Sequence, residues 1–214
     1  MRKMSVIVAI VVVCSSVAYA HDGLSREETE AQIHSQRINQ YPEDDTVFCE
    51  AAAFYSDWAE EIESETEASL RLIEQGLAYA NRAIELNPHN GTAYFYRGAL
   101  TIQRGARKGI FSSLRSIRPM RDDLLKAIEL SPDYSPAYHG LAVIYMEAPG
   151  WPLSIGDPEK ALVYRIISVE LEPDNIEYRL ALADTYKKLG EEDLYRATLL
   201  EVRTMEANDT APDA

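Results

Sequence analysis

The clearest run of apolar positions at three- and four-residue spacing is Ile110, Phe111, Leu114 and Ile117, which fall on one face of a helix. Elsewhere the helical stretches are cut at intervals by the same phrase. Ala-Ile-Glu-Leu-Asn-Pro at 83–88 recurs as Ala-Ile-Glu-Leu-Ser-Pro at 127–132 and as Ser-Val-Glu-Leu-Glu-Pro at 168–173. An apolar or aromatic-rich helix start follows each one. The three prolines are 44 and then 41 residues apart, and an internal period of this order predicts a helical repeat. Leu70 to Leu86 predicts one further helix, and Val47 to Ile62 another, with Phe-Tyr-Ser-Asp-Trp near its end.

Small and large positions recur in step with the prolines. Tyr94, Gly98 and Gly105 mark one unit. Tyr138, Leu141, Ala142 and Tyr145 mark the next, and Leu182, Ala183, Tyr186 and Gly190 the last. With Ala83 and Ala127 ahead of Pro88 and Pro132, and Ser168 ahead of Pro173, they resemble the tetratricopeptide repeat, an antiparallel helix pair of about 34 residues. The resemblance covers about residues 46–206. It implies an all-α fold, a helical-repeat solenoid of about four antiparallel helix pairs.

Two intervals exceed the repeat length, by ten and by seven residues, and both additions fall between the first and second helix of a unit. They are expected at one edge of the stack. The first, at 104–121, carries Arg104, Arg107, Lys108, Arg115, Arg118 and Arg121 with no acid. It reads either as a short amphipathic helix docked on the solenoid, its arginines paired with carboxylates, or as an anion site or partner-docking patch. Arginine suits either a carboxylate or a phosphate. The second, Glu-Ala-Pro-Gly-Trp-Pro-Leu-Ser-Ile-Gly-Asp-Pro at 147–158, sets Trp151, Leu153 and Ile155 among turn residues. It is expected to pack, either as a plug completing the core or as a lid over a ligand cavity.

The chain opens with Arg2 and Lys3, an apolar run from Val6 to Val13 too short to span a bilayer, and Ala18-Tyr19-Ala20. This pattern reads as a signal peptide at 1–20, cut near Ala20. The expected location is periplasmic or secreted. Residues 21–43 read as a polar, unstructured N-terminal segment, 44–206 as the helical domain and 207–214 as a tail. No other window approaches a membrane span. Removing Arg2 and Lys3 takes the formal net charge from −14 to −16, which argues against nucleic acid as a partner. Cys49 is then the single cysteine left, read as a small buried apolar residue or as half of an intermolecular disulfide.

The phrases Gly-Ile-Phe-Ser-Ser-Leu and Pro-Gly-Trp-Pro-Leu-Ser-Ile-Gly-Asp make the chain similar to the T-component proteins of TRAP transporters. That resemblance implies a non-enzymatic periplasmic accessory that associates with an extracytoplasmic substrate-binding protein and helps deliver a small organic ligand. Catalytic chemistry is not suggested by the residues. His21, His34, His89 and His139 have no metal-ligand spacing, and no nucleophile motif or phosphate loop occurs. No cofactor or metal is expected. The candidate ligand or partner contacts are Tyr94, Arg97, Tyr138 and Tyr178 on the repeat helices, Arg107, Arg115 and Arg118 in the basic insertion, and Trp151. An enclosed apolar cavity would favour a ligand carrier. A shallow open groove would favour a protein–protein scaffold, and an exposed apolar patch a homo-oligomer or envelope assembly.

Overall fold

The computed structural model describes residues 25–209. The cleavage site near Ala20 and residues 210–214 lie outside the described residues. Within them the chain forms α1 (Arg26–Gln40), α2 (Asp45–Glu61), α3 (Thr66–Leu86), α4 (Gly91–Arg107), α5 (Ile110–Leu130), α6 (Ser135–Glu147), α7 (Pro158–Leu171), α8 (Ile176–Leu189) and α9 (Glu192–Asp209). There is no strand among them, only an isolated bridge between Gly150 and Gly156. α2/α3, α4/α5, α6/α7 and α8/α9 are the four antiparallel pairs, stacked in chain order. The all-α helical-repeat solenoid is therefore the fold.

Helix boundaries follow local chemistry. Asp44, Asn90, Asp157 and Asn175 each accept a backbone N–H of the first turn they open. Gly190 closes α8 with φ 81°, a left-handed conformation that costs glycine little. The proline phrases end α3, α5 and α7, and side chains then tie the first and last of these turns to a neighbouring pair. The Asp45 carboxylate accepts from Asn87 Nδ2 at 3.0 Å and Asn90 Nδ2 at 2.7 Å, joining the α3–α4 turn to the start of α2. Glu172 does the same at the α7–α8 turn, accepting from Ser135 Oγ and from Asn175 Nδ2.

Small residues set how closely the helices approach. Ala52, Ala59, Ala80, Ala83, Ala93, Ala127, Ala137 and Ala161 are wholly buried. α4 lies closest to α5: a Cβ on Gly98 would sit 3.3 Å from Asp123 Cβ, and one on Gly105 would sit 2.4 Å from Ser116 Oγ. Large side chains fill the space this leaves. Phe48, Ile73, Leu77, Tyr96 and Leu100 form one core cluster, and Ile117, Met120, Leu124, Leu141 and Ile144 a second. Cys49 lies within the first, where burial pushes its thiol up to about 12, so it behaves as a small apolar residue.

Three expectations change. Residues 26–40 are helical, not unstructured: Ser25 and Glu28 form a reciprocal capping box. α1 buries no residue fully and rests on α2 through the Arg37–Glu50 ion pair, the His34–Phe54 ring stack and Ile38. At the C-terminal end, α9 runs on to Asp209, past the start assigned to the tail. The basic insertion is not a separate docked helix. It lengthens α4 to Arg107 and starts α5 at Ile110, so that the two form one long hairpin of 17 and 21 residues.

The apolar loop neither plugs the core nor covers a cavity. Trp151 is 89% exposed and Leu153 81%, and of the loop's large apolar side chains Ile155 alone packs against the second cluster, beside Ala148. The loop is nonetheless well defined. Gly156 N–H donates to Pro149 O, Asp157 N–H to Tyr145 O, and Leu153 and Ser154 N–H to Gly150 O. A Cβ on Gly156 would meet Ala148 O at 2.0 Å, so the turn depends on that glycine.

Gly105→Ala is expected to destabilise the protein by about 1–3 kcal/mol, because α4 and α5 must separate. Ser116→Gly in the same chain is expected to restore part of the loss. Urea unfolding midpoints of the single and double variants measure both effects.

Candidate functional site

The long α4/α5 hairpin brings together the functional side chains that share one surface. Arg97, Thr101, Arg104 and Lys108 recur every three or four residues and form a stripe along α4. α5 flanks the stripe with Ser112, Arg115, Ser116 and Pro119, and α3 flanks it on the other side with Glu74, Ala78 and Asn81. The result is an open groove of about 520 Å³ between α4 and α5, which continues into a second of about 430 Å³ toward α3. Pro119 lies inside α5, where it has no N–H to donate to the carbonyl of Arg115, four residues back.

The cations of the groove are held in different ways. Arg97 is half-buried and forks onto Asp123, with Nε donating at 2.9 Å and Nη2 at 2.5 Å, while its guanidinium lies 5.0 Å from the centre of the Tyr94 ring. This pair positions the wall of the groove. Glu74 receives Lys108 at 3.1 Å and Arg104 at 3.5 Å, two cations on one carboxylate. Burial works against the charged form of Glu74, but the Lys108 hydrogen bond and the charge of Arg104 outweigh it and hold its carboxyl below the usual range. Arg115 and Arg118 are exposed and form no ion pair among the described residues. The surface therefore has positive charge to offer an acidic partner, in a chain whose net charge is −14.

The other predicted contacts lie elsewhere. Tyr94 packs partly against the second core cluster. Tyr138 donates its hydroxyl to Pro132 O at 2.9 Å. Arg107 ties the α2/α3 end to α4: Nε donates to Ser69 Oγ at 3.2 Å, and Nη2 lies 3.5 Å from Ala59 O and 3.8 Å from Glu63. Trp151 stands in solvent on the α6–α7 loop. The structure thus gathers Arg97 and Arg115 in the groove, with Arg118 on the outer flank of α5, and leaves Tyr138, Tyr178, Arg107 and Trp151 apart from it. Sequence reasoning missed Glu74, which is one acid among many on α3 until the fold sets it opposite Arg104 and Lys108.

Tyr178 is buried and stacks on the His139 ring at 4.6 Å. Arg165, buried between α6 and α8, lies 2.7 Å from His139 Nδ1. Burial first, and then the Arg165 charge, push the His139 imidazole down to about 3. In the unfolded chain a histidine titrates near 6.5. The unfolded state therefore binds more protons than the folded state between those values, and stability is lost as pH falls from about 6.5 toward 3. His139→Gln keeps an acceptor for Arg165 and removes the titration. The variant is expected to lose less stability than the parent between pH 7 and pH 4.5, measured by urea unfolding at each pH.

Among the described residues, no group of three His, Cys, Asp or Glu side chains could hold a metal ion, and no helix is long and apolar enough to cross a membrane. Stacked antiparallel helix pairs, with small residues where they touch and a groove along one helix, define a tetratricopeptide-type helical-repeat protein. Several solved structures are similar to it. A thermophilic TPR protein of Thermus thermophilus matches with a TM-score of 0.65 at 17% identity, over 86% of this chain and 85% of its own. A structure of MamA matches with a TM-score of 0.59 at 14% identity, over 87% of this chain and 97% of its own. MamA of Desulfovibrio magneticus RS-1 matches with a TM-score of 0.54 at 16% identity, over 87% and 99%. These likenesses speak for the fold. Curated protein sequences gave no match. The profile of the regulator of microtubule dynamics protein 1-3 family matches residues 14–147. The chain belongs to that family. The likeness to T-component proteins that the two loop phrases suggested is not shown by these matches.

Proposed function

We propose that the chain is a non-enzymatic protein-docking scaffold, and that the groove along α4 receives an acidic segment of its partner. The observation that carries this reading is the groove itself: open along its length, lined by Arg104, Lys108 and Arg115, with its acids Asp122 and Asp123 already paired to Arg121 and Arg97, and set in a strongly acidic chain. Arginine and lysine on a groove wall attract a carboxylate-bearing segment, and the surrounding acids disfavour misplaced binding of the same segment.

The narrower reading is an exported accessory of a TRAP-type uptake system, carrying a small organic ligand for a substrate-binding protein. It rests on the leader-like start and the loop phrases. Such a carrier needs an enclosed chamber, and an open groove supports a docking role instead. The leader-like start supports a place outside the cytoplasm. The family name, with its reference to microtubule dynamics, suggests a cytoskeletal partner. Export and a cytoplasmic filament exclude one another, so locating a tagged full-length chain by cell fractionation separates the two identities of the partner.

Fluorescence anisotropy with a labelled Glu-rich peptide of about twelve residues tests the groove. The parent protein is expected to bind, and binding is expected to weaken as salt is raised. Arg104→Glu with Arg115→Glu is expected to reduce affinity at least about tenfold at low salt, since each reversal places like charges together. Equal affinity for parent and variant would overturn the reading.

A further inference from the structure

Beside the groove, α5 presents a second pattern. Phe111, Arg115 and Arg118 are spaced i, i+4, i+7, so they share one face of the helix over about 10 Å. All three are exposed, Phe111 at 79%, and neither arginine is neutralised by a carboxylate among the described residues. The other cations of the insertion behave differently: Arg104, Arg107, Lys108 and Arg121 all meet acids. In a chain with 35 acids and 21 bases, two adjacent unpaired arginines next to an exposed aromatic ring are a surface with a definite complement.

Further exposed apolar residues lie toward the same edge of the stack. Ile110 is 72% exposed at the tip of the α4/α5 hairpin. α5 and α6 pack antiparallel, so the start of α5 and the loop after α6 face the same edge of the stack, with α5 at 21 residues running on past the end of α6 at 13, and that loop holds Trp151 and Leu153 outward through its own backbone hydrogen bonds. Single exposed apolar residues are ordinary on protein surfaces; several large ones toward one edge, beside an unneutralised basic stripe, mark a contact.

We infer that the partner segment is acidic with a large apolar residue at one end: its carboxylates face Arg115 and Arg118, and its apolar side chain covers Phe111. This inference rests on the docking reading above and adds what the acidic charge alone does not specify. Charge complementarity selects the occupant. A second copy of this chain, with its own 35 acids against 21 bases, sets like charge against like over most of its surface, and an anionic membrane meets the same repulsion.

The test uses the full-length chain and two labelled Glu-rich peptides that differ at one terminal position, Trp in one and Ser in the other. The Trp peptide is expected to bind about tenfold tighter or more, as burial of one large apolar side chain gives. Phe111→Ser is expected to erase that preference while leaving the Ser peptide's affinity unchanged. Arg118→Glu is expected to weaken both peptides. Phe111 is exposed, so its substitution leaves the fold intact, which far-ultraviolet circular dichroism checks. Equal binding of the two peptides overturns this inference and leaves the groove reading standing. Binding of neither peptide overturns both readings. A dimer in sedimentation that Phe111→Ser abolishes, or binding to phosphatidylglycerol vesicles that Phe111→Ser abolishes, overturns the inference in favour of that other occupant.

Discussion

The close approach of α4 to α5 sets the rest of the molecule. Gly98 and Gly105 leave no Cβ between the two helices, so Asp123 and Ser116 lie against the α4 backbone. That contact lets two helices of 17 and 21 residues run side by side as one hairpin. It also puts Asp123 within reach of Arg97, which fixes one wall of the groove, and turns Arg115 toward its mouth. A larger residue at either glycine would separate the helices and change the core, the ion pair and the groove together. The small-residue positions of a repeat are for this reason functional positions even when they touch no partner.

Electrostatics on this chain are local. A net charge of −14 describes the surface as a whole and says nothing of where charge is missing. Most cations are paired with nearby carboxylates at exposed positions, where each pair contributes little to stability. Their arrangement matters more than their number. Pairing Arg104 and Lys108 with the single carboxylate of Glu74, and leaving Arg115 and Arg118 unpaired, concentrates positive potential on one hairpin.

Much of the fold was legible in the sequence, because the proline phrases, the Asn and Asp caps and the small residues at helix contacts are local signals that the tertiary structure does not override. The insertions were harder. Residues 104–121 read as an added helix because they exceed the repeat length and because Ile110, Phe111, Leu114 and Ile117 recur at helical spacing within them. In the fold, Gly105 is a close-packing residue, Gly109 makes the hairpin turn at φ 97°, and Pro119 is absorbed within α5. The loop at 147–158 was misread for a different reason. Buried residues are mostly apolar, but apolar residues are not all buried, and Trp151 and Leu153 are held out by a backbone that closes on itself. α1 was missed although its capping box, Ser25 to Glu28, stood in the sequence, because its apolar residues are too few to show a buried face. Of the candidate site, Arg97 and Arg115 could be named in advance. Glu74 could not, since nothing along the chain links it to Arg104 and Lys108 on the next helix.

Phe95 packs against the cluster built from α2, α3 and α4 and also against the cluster that α5 and α6 build. In a stack where each pair touches its neighbours, free-energy coupling between the two ends has few routes. This ring, wedged edge-on to Tyr96 on one side and Tyr134 on the other, is one of them. The same helix bears the cationic stripe of the groove. The groove and the joint between the two halves of the solenoid are thus built on one element, α4, whose apolar face closes the core while its cationic face stays open.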